Sequence, residues 1–67
     1  MEFRLKEGFI ELDNMLKVLG LVASGAEAKQ GIRSGEVKVN GRPETRVRRK
    51  LRSGDAVDFK DRQISVL

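Results

Sequence analysis

A chain of 67 residues, 39% of them hydrophobic and 36% charged, with a formal net charge of +4, suffices for one domain with a thin core, because a chain this short buries only about 60% of its unfolded surface. Two domains are excluded, and the composition is too apolar for a disordered tail and too charged for a membrane segment. Cysteine and histidine are both absent, so disulfides, thiolate nucleophiles, the usual general base and most transition-metal sites are removed; no catalytic residue, cofactor or metal is expected.

In chain order, Phe3 and Leu5 alternate with Arg4 and Lys6, which predicts a short half-buried strand ending near Gly8. The same alternation leaves no continuous apolar stretch for a secretory signal or an anchor, so a cytoplasmic location and no membrane partner are expected. Leu12, Met15, Leu16 and Leu19 recur at helical spacing, predicting an amphipathic helix with Asp13 in its first turn and Gly20 closing it in a left-handed conformation. Ser24-Gly25-Ala26-Glu27 reads as a capping box, in which the Ser24 hydroxyl accepts from the Glu27 amide and the Glu27 carboxylate accepts from the Ser24 amide. The helix it opens carries Ala28 and Ile32 on one side, Lys29 and Arg33 on another, and Gly35 at its end.

The period then changes to two. Val37 and Val39 point one way and Lys38 and Asn40 the other, and Asn40-Gly41 predicts a tight turn because both residues tolerate positive φ. Between Arg42 and Arg52 six basic residues (Arg42, Arg46, Arg48, Arg49, Lys50 and Arg52) face only Glu44, which predicts an irregular or edge segment anchored by Val47 and Leu51. Ser53-Gly54-Asp55 turns the chain into strands around Val57-Asp58-Phe59 and Gln63-Ile64-Ser65-Val66. The expected fold is a single α+β domain over 1–67.

Charge is unevenly spread. Residues 1–28 carry a net −2, residues 29–52 a net +7 from nine basic and two acidic groups, and residues 53–67 a net −1. A partner of dense negative charge is implied for the middle third, beyond what solubility requires. Asp55, Asp58 and Asp61 sit around turns and solvent-facing strand positions, where acids are ordinary. Gly20 to Gly25 has the glycine spacing of a phosphate loop, but Ala26-Glu27 replaces the required Lys-Ser/Thr, so no nucleotide cradle is supported. Phe3, Phe9 and Phe59 all read as core, leaving no aromatic platform for splayed bases; a nucleic acid would be held through phosphates and shape, with Arg favoured for its bidentate fork. Gly25 and Ala26 either leave the second helix's N-terminus open to a phosphate or simply permit close helix packing.

The succession Leu12-Asp13, Leu16, Leu19-Gly20, Ser24, Ala26, Ala28-Lys29, Ile32, Gly35, Val37, Val39-Asn40-Gly41, Val47 and Gly54-Asp55 resembles the S-four-like RNA-binding domain, or alpha-L motif, from about Glu11 to Phe59. Size and the N-terminal strand resemble its free-standing bacterial members. The resemblance implies two short helices packed on a small, mostly antiparallel sheet, and a non-enzymatic module whose helix pair and following strand present a basic surface to ribosomal or transfer RNA. Position by position it implies Lys29, Arg33, Lys38, Asn40 and Arg42 as RNA contacts; charge alone adds Arg46, Arg48, Arg49, Lys50 and Arg52. The expected partner is structured RNA, with the ribosome as a candidate assembly, bound by a monomer. A protein-interaction module for an acidic partner and a double-stranded DNA binder are the competing readings.

Overall fold

The computed structural model describes residues 1–67, and its elements run β1 (Glu2–Phe3), β2 (Ile10–Glu11), α1 (Leu12–Val18), α2 (Gly25–Arg33), β3 (Val37–Val39), β4 (Arg42–Pro43), β5 (Lys50–Leu51), β6 (Ala56–Phe59) and β7 (Arg62–Val66). The architecture is the expected α+β one. Five strands form a sheet in the order β1-β7-β6-β3-β4, antiparallel throughout except for the parallel pair β1 and β7. A second sheet of β2 and β5 stands apart from it.

Both helices follow the apolar spacing. Leu12, Met15 and Leu16 of α1 and Ala28 and Ile32 of α2 are fully buried, which is the inward stripe that a 3.6-residue period produces. Each helix ends in a Schellman motif: the Gly20 and Leu21 amides donate to the Lys17 and Leu16 carbonyls, and the Gly35 and Glu36 amides to those of Ile32 and Gly31. Gly20 and Gly35 hold the positive φ this requires, 73° and 85°. The capping box forms in part. Ser24 Oγ accepts from the Glu27 amide at 3.2 Å as expected, but the Glu27 carboxylate accepts from the Ala23 amide. Ser24 is extended (φ −153°, ψ 166°), the ordinary N-cap conformation, and the Glu27 carboxylate reaches one residue further back than the capping box predicts.

Helix α2 rests on β6 through Gly31 and Phe59. A Cβ on Gly31 would lie 3.2 Å from Cε1 of Phe59, so the absence of a side chain there lets the helix rest on the ring. Val37, Val39, Val57, Phe59, Ile64 and Val66 fill the sheet's inner face and join the five helical residues, Val22 and Leu51 in one core of 13 buried side chains. Asn40 and Gly41, at φ 53° and 84°, make the tight turn between β3 and β4.

One strand expectation needs correction, and another holds in part. The N-terminal strand is confined to Glu2–Phe3, although the Leu5 amide still reaches the Leu67 carbonyl at 3.1 Å, so the alternation of Phe3 and Leu5 into half-buried positions holds. The irregular-or-edge reading of the basic segment holds at Arg42–Pro43, the edge strand of the larger sheet, while Lys50–Leu51 instead pairs with Ile10–Glu11. Strands of two residues are too short to leave a period in the sequence.

Truncating Leu16 to Ala is expected to cost about 2–5 kcal/mol, whereas Val18→Ala, on the same helix but 61% exposed, should change stability by no more than about 0.5 kcal/mol. Urea unfolding followed by circular dichroism measures both; equal losses would contradict the burial pattern.

Candidate nucleic-acid interface

The segment from Glu44 to Arg49 is shaped by one buried carboxylate. Glu44 is only 6% exposed, and its Oε2 accepts from the Arg46 amide at 2.9 Å and from Arg46 Nε at 3.0 Å. Oε1 accepts from Arg46 Nη2 at 3.0 Å and Arg49 Nη1 at 2.8 Å. The Arg46 hydrogen bonds, aided by Arg49 and opposed by burial, lower the Glu44 pKa from 4.5 to about 2. Glu44 thus does more than offset the surrounding positive charge: it fixes where two guanidinium groups stand.

The same segment is tied to α1. Glu11 caps that helix without a side-chain hydrogen bond; instead the Leu12 amide donates to the Arg49 carbonyl at 2.8 Å and the Asp13 amide to the Val47 carbonyl at 3.1 Å. The β2–β5 ladder therefore runs straight into the helix, and the basic segment supplies acceptors that the helix N-terminus otherwise lacks.

The ten sequence candidates fall into separate groups. Arg42, Arg46 and Arg49 line one open groove with Asn40 and Glu44, and Arg46, Arg48, Arg49 and Lys50 line a second, so Arg46 and Arg49 belong to both. Lys29 and Arg33 are exposed on α2, on the side away from Ala28, Gly31 and Ile32. Lys38 lies on the outer face of the sheet, opposite Asp58 in register, in a concavity that also holds Glu36, Lys60, Asp61 and Arg62. There the two signs alternate, and the pull on a polyanion is correspondingly weak. Helix face and outer sheet face belong to opposite layers, so no flat surface collects all ten.

Asn40 has a visible structural role. Its Oδ1 accepts from the Ala56 amide at 2.9 Å and its Nδ2 donates to Asp55 Oδ1 at 3.0 Å, while Asp55 Oδ2 accepts from the Arg52 amide at 2.8 Å. These bonds hold the Asp55 pKa below its ordinary value, the Arg52 amide contributing most. Asp55 is a turn-former, as its position in the sequence implied.

Phe9 corrects the reading of the aromatics. Phe59 is core and Phe3 half-buried, but Phe9 is 41% exposed, with Lys50 Nζ 4.9 Å and Arg52 Cζ 5.8 Å from its ring centroid. Its place just before β2, a strand invisible in the sequence, puts it at the molecular rim. Lys17 was also unmarked by spacing; its Nζ lies 3.8 Å from where a Cβ on Gly25 would stand, beside the first turn of α2. No group of three or more Asp or Glu side chains gathers to hold a metal ion, and no helix is long and apolar enough to cross a membrane.

A carboxylate whose pKa is lower folded than unfolded stabilises the fold above its unfolded pKa, and that contribution disappears as pH falls through the folded value. For Glu44 the window runs from about 4.5 down to about 2. Glu44→Gln is expected to cost about 1.5–3 kcal/mol at neutral pH, with the gap from wild type narrowing across that window. Thermal unfolding of both proteins at a series of pH values tests this; a gap independent of pH would remove the ion pairs from the account.

Comparison with known proteins agrees with this architecture. The sequence profile of the S4 domain matches residues 3–67. YbcJ of Escherichia coli (strain K12) is 42% identical over 62 residues, covering 92% of this chain and 89% of its own, and YbcJ of Shigella flexneri gives the same figures. The solution structure of E. coli YbcJ, described as revealing an alpha-L motif involved in RNA-binding, superposes with a TM-score of 0.74 over 98% of this chain and 85% of that one. With a family match across nearly its whole length and the helix pair and sheet in place, the chain belongs to the S4 domain family, whose alpha-L fold is an RNA-binding module.

Proposed function

We propose that this protein binds structured RNA, ribosomal or transfer RNA, through the cations of residues 42–52, with Lys29 and Arg33 extending the contact along α2. One observation carries the reading: the buried Glu44 carboxylate holds Arg46 and Arg49 in place yet uses only part of their hydrogen-bonding capacity. A guanidinium has five N–H donors; Arg46 commits two to Glu44 and Arg49 one. The remaining donors of Arg46 and Arg49 form a preorganised pair for phosphate oxygens that loses little side-chain freedom on binding, and exposed Arg42, Arg48 and Lys50 stand beside it. Arg46 and Arg49 also border both grooves, so the cluster is suited to two neighbouring phosphates.

Folded RNA fits better than an extended single strand. Sequence-tolerant single-strand binders stack successive bases on several aromatics, and here one exposed ring does not make a continuous platform. The YbcJ description supports RNA over DNA or an acidic protein as the polyanion. An acidic protein partner or duplex DNA would take the same cations and is distinguished by competition.

With about four phosphate contacts, affinity for a ribosomal RNA fragment is expected to fall roughly a hundredfold between 50 and 200 mM salt; an affinity flat across that range would eliminate the electrostatic contact. In competition, a folded fragment should displace a poly-pyrimidine strand or a DNA duplex of equal length, and the reverse order would refute the choice of partner. Arg46→Glu combined with Arg48→Glu should weaken binding more than Lys29→Glu combined with Arg33→Glu. The opposite ranking would move the centre of the site onto α2.

A further inference from the structure

Phe9 is exposed and lies outside the core cluster, so burial does not account for an aromatic residue at this position. Its location is nonetheless fixed. It precedes Ile10, which pairs with Leu51, and the residues flanking Leu51 are the two cations beside its ring, Lys50 and Arg52. Lys50 in turn lines the groove that holds Arg46, Arg48 and Arg49. An apolar ring thus stands at the end of the basic cluster, one side chain away from it, with Lys50 and Arg52 lying over it.

We propose that Phe9, Lys50 and Arg52 form a seat for one unpaired nucleobase, the base stacking on the Phe9 ring while the two cations meet the phosphates on either side of that nucleotide. The site deepens the RNA reading above and rests on it. A nucleotide offers the two complementary features together, a flat π-face and an adjoining negative charge, whereas an acidic peptide would satisfy the cations and leave the ring in water. The cations are on exposed, flexible side chains, so they can part from the ring to admit a base. Recognition then includes a bulged or looped-out residue as well as the overall shape of the folded RNA.

The test uses three RNA duplexes of one sequence: fully paired, carrying one bulged adenosine, and carrying an abasic bulge. Wild type is expected to bind the adenosine bulge about tenfold more tightly than the other two, in line with the measured effect of removing a single base–aromatic stack. Phe9→Leu should erase that preference while leaving affinity for the fully paired duplex unchanged, with circular dichroism confirming the fold. The chain contains no tryptophan, so Phe9→Trp supplies a lone reporter whose fluorescence should be quenched by the adenosine bulge and not by the abasic one. Equal wild-type affinity for all three duplexes, or a Phe9→Leu loss shared equally among them, would overturn the seat while sparing the RNA reading. Absence of binding to any duplex would sink both.

Discussion

A carboxylate removed from water costs free energy unless its oxygens are satisfied, and Glu44 is satisfied by two guanidiniums and a backbone amide contributed by the residues just after it. The segment must bend back on itself to deliver those donors, and once it has done so its shape is set. Solvent-exposed arginines ordinarily sample many rotamers and spend their charge weakly. Arg46 and Arg49 are held instead by a partner only 6% exposed, yet 72% of the Arg46 side chain still faces water. Rigidity on one edge of the guanidinium and access on the other are what a phosphate-binding group needs.

This local arrangement would drift if nothing held it against the body of the domain. The carbonyls of Val47 and Arg49 hold it by accepting the first amides of α1, and Leu51, fully buried, anchors the strand that follows. The exchange is mutual. Helix α1 gains acceptors for N–H groups that its capping residue leaves unserved, and the basic segment gains a rigid support. The apolar core, through Leu12, Met15 and Leu16, is thereby coupled to the charged surface by backbone hydrogen bonds, so damage to the core should be felt in the basic segment as well as in stability.

Net charge alone does not tell the basic faces of the domain apart. Lys38 belongs to the basic middle third, yet its side of the sheet mixes Lys60 and Arg62 with Glu36, Asp58 and Asp61, and charges of both signs at close range largely cancel for a distant polyanion. The segment 42–52 differs because its one acid is turned inward and consumed. Where a charge points decides its contribution as much as its sign does.

Features resting on contacts within a few residues were legible in the sequence alone. The stripe Leu12, Met15, Leu16 and Leu19 specified α1, Gly20 and Gly35 specified the two Schellman ends, and Asn40-Gly41 specified the hairpin, because helical periodicity and positive φ are properties of neighbouring residues. The resemblance across Glu11 to Phe59 placed the fold for the same reason, its signature residues being mostly those turns and stripes. The tertiary structure alone decided the rest. The β2–β5 ladder joins Ile10 to Leu51 across most of the chain, and two-residue strands carry no periodic signal of their own. From that pairing follow the exposure of Phe9 beside Lys50 and Arg52 and the capping of α1 by Arg49. The inward turn of Glu44 and the use of the Asn40 amide on Asp55 and Ala56 likewise depend on which distant backbone arrives nearby, and burial of a charged or aromatic side chain is settled only when the surfaces around it have met.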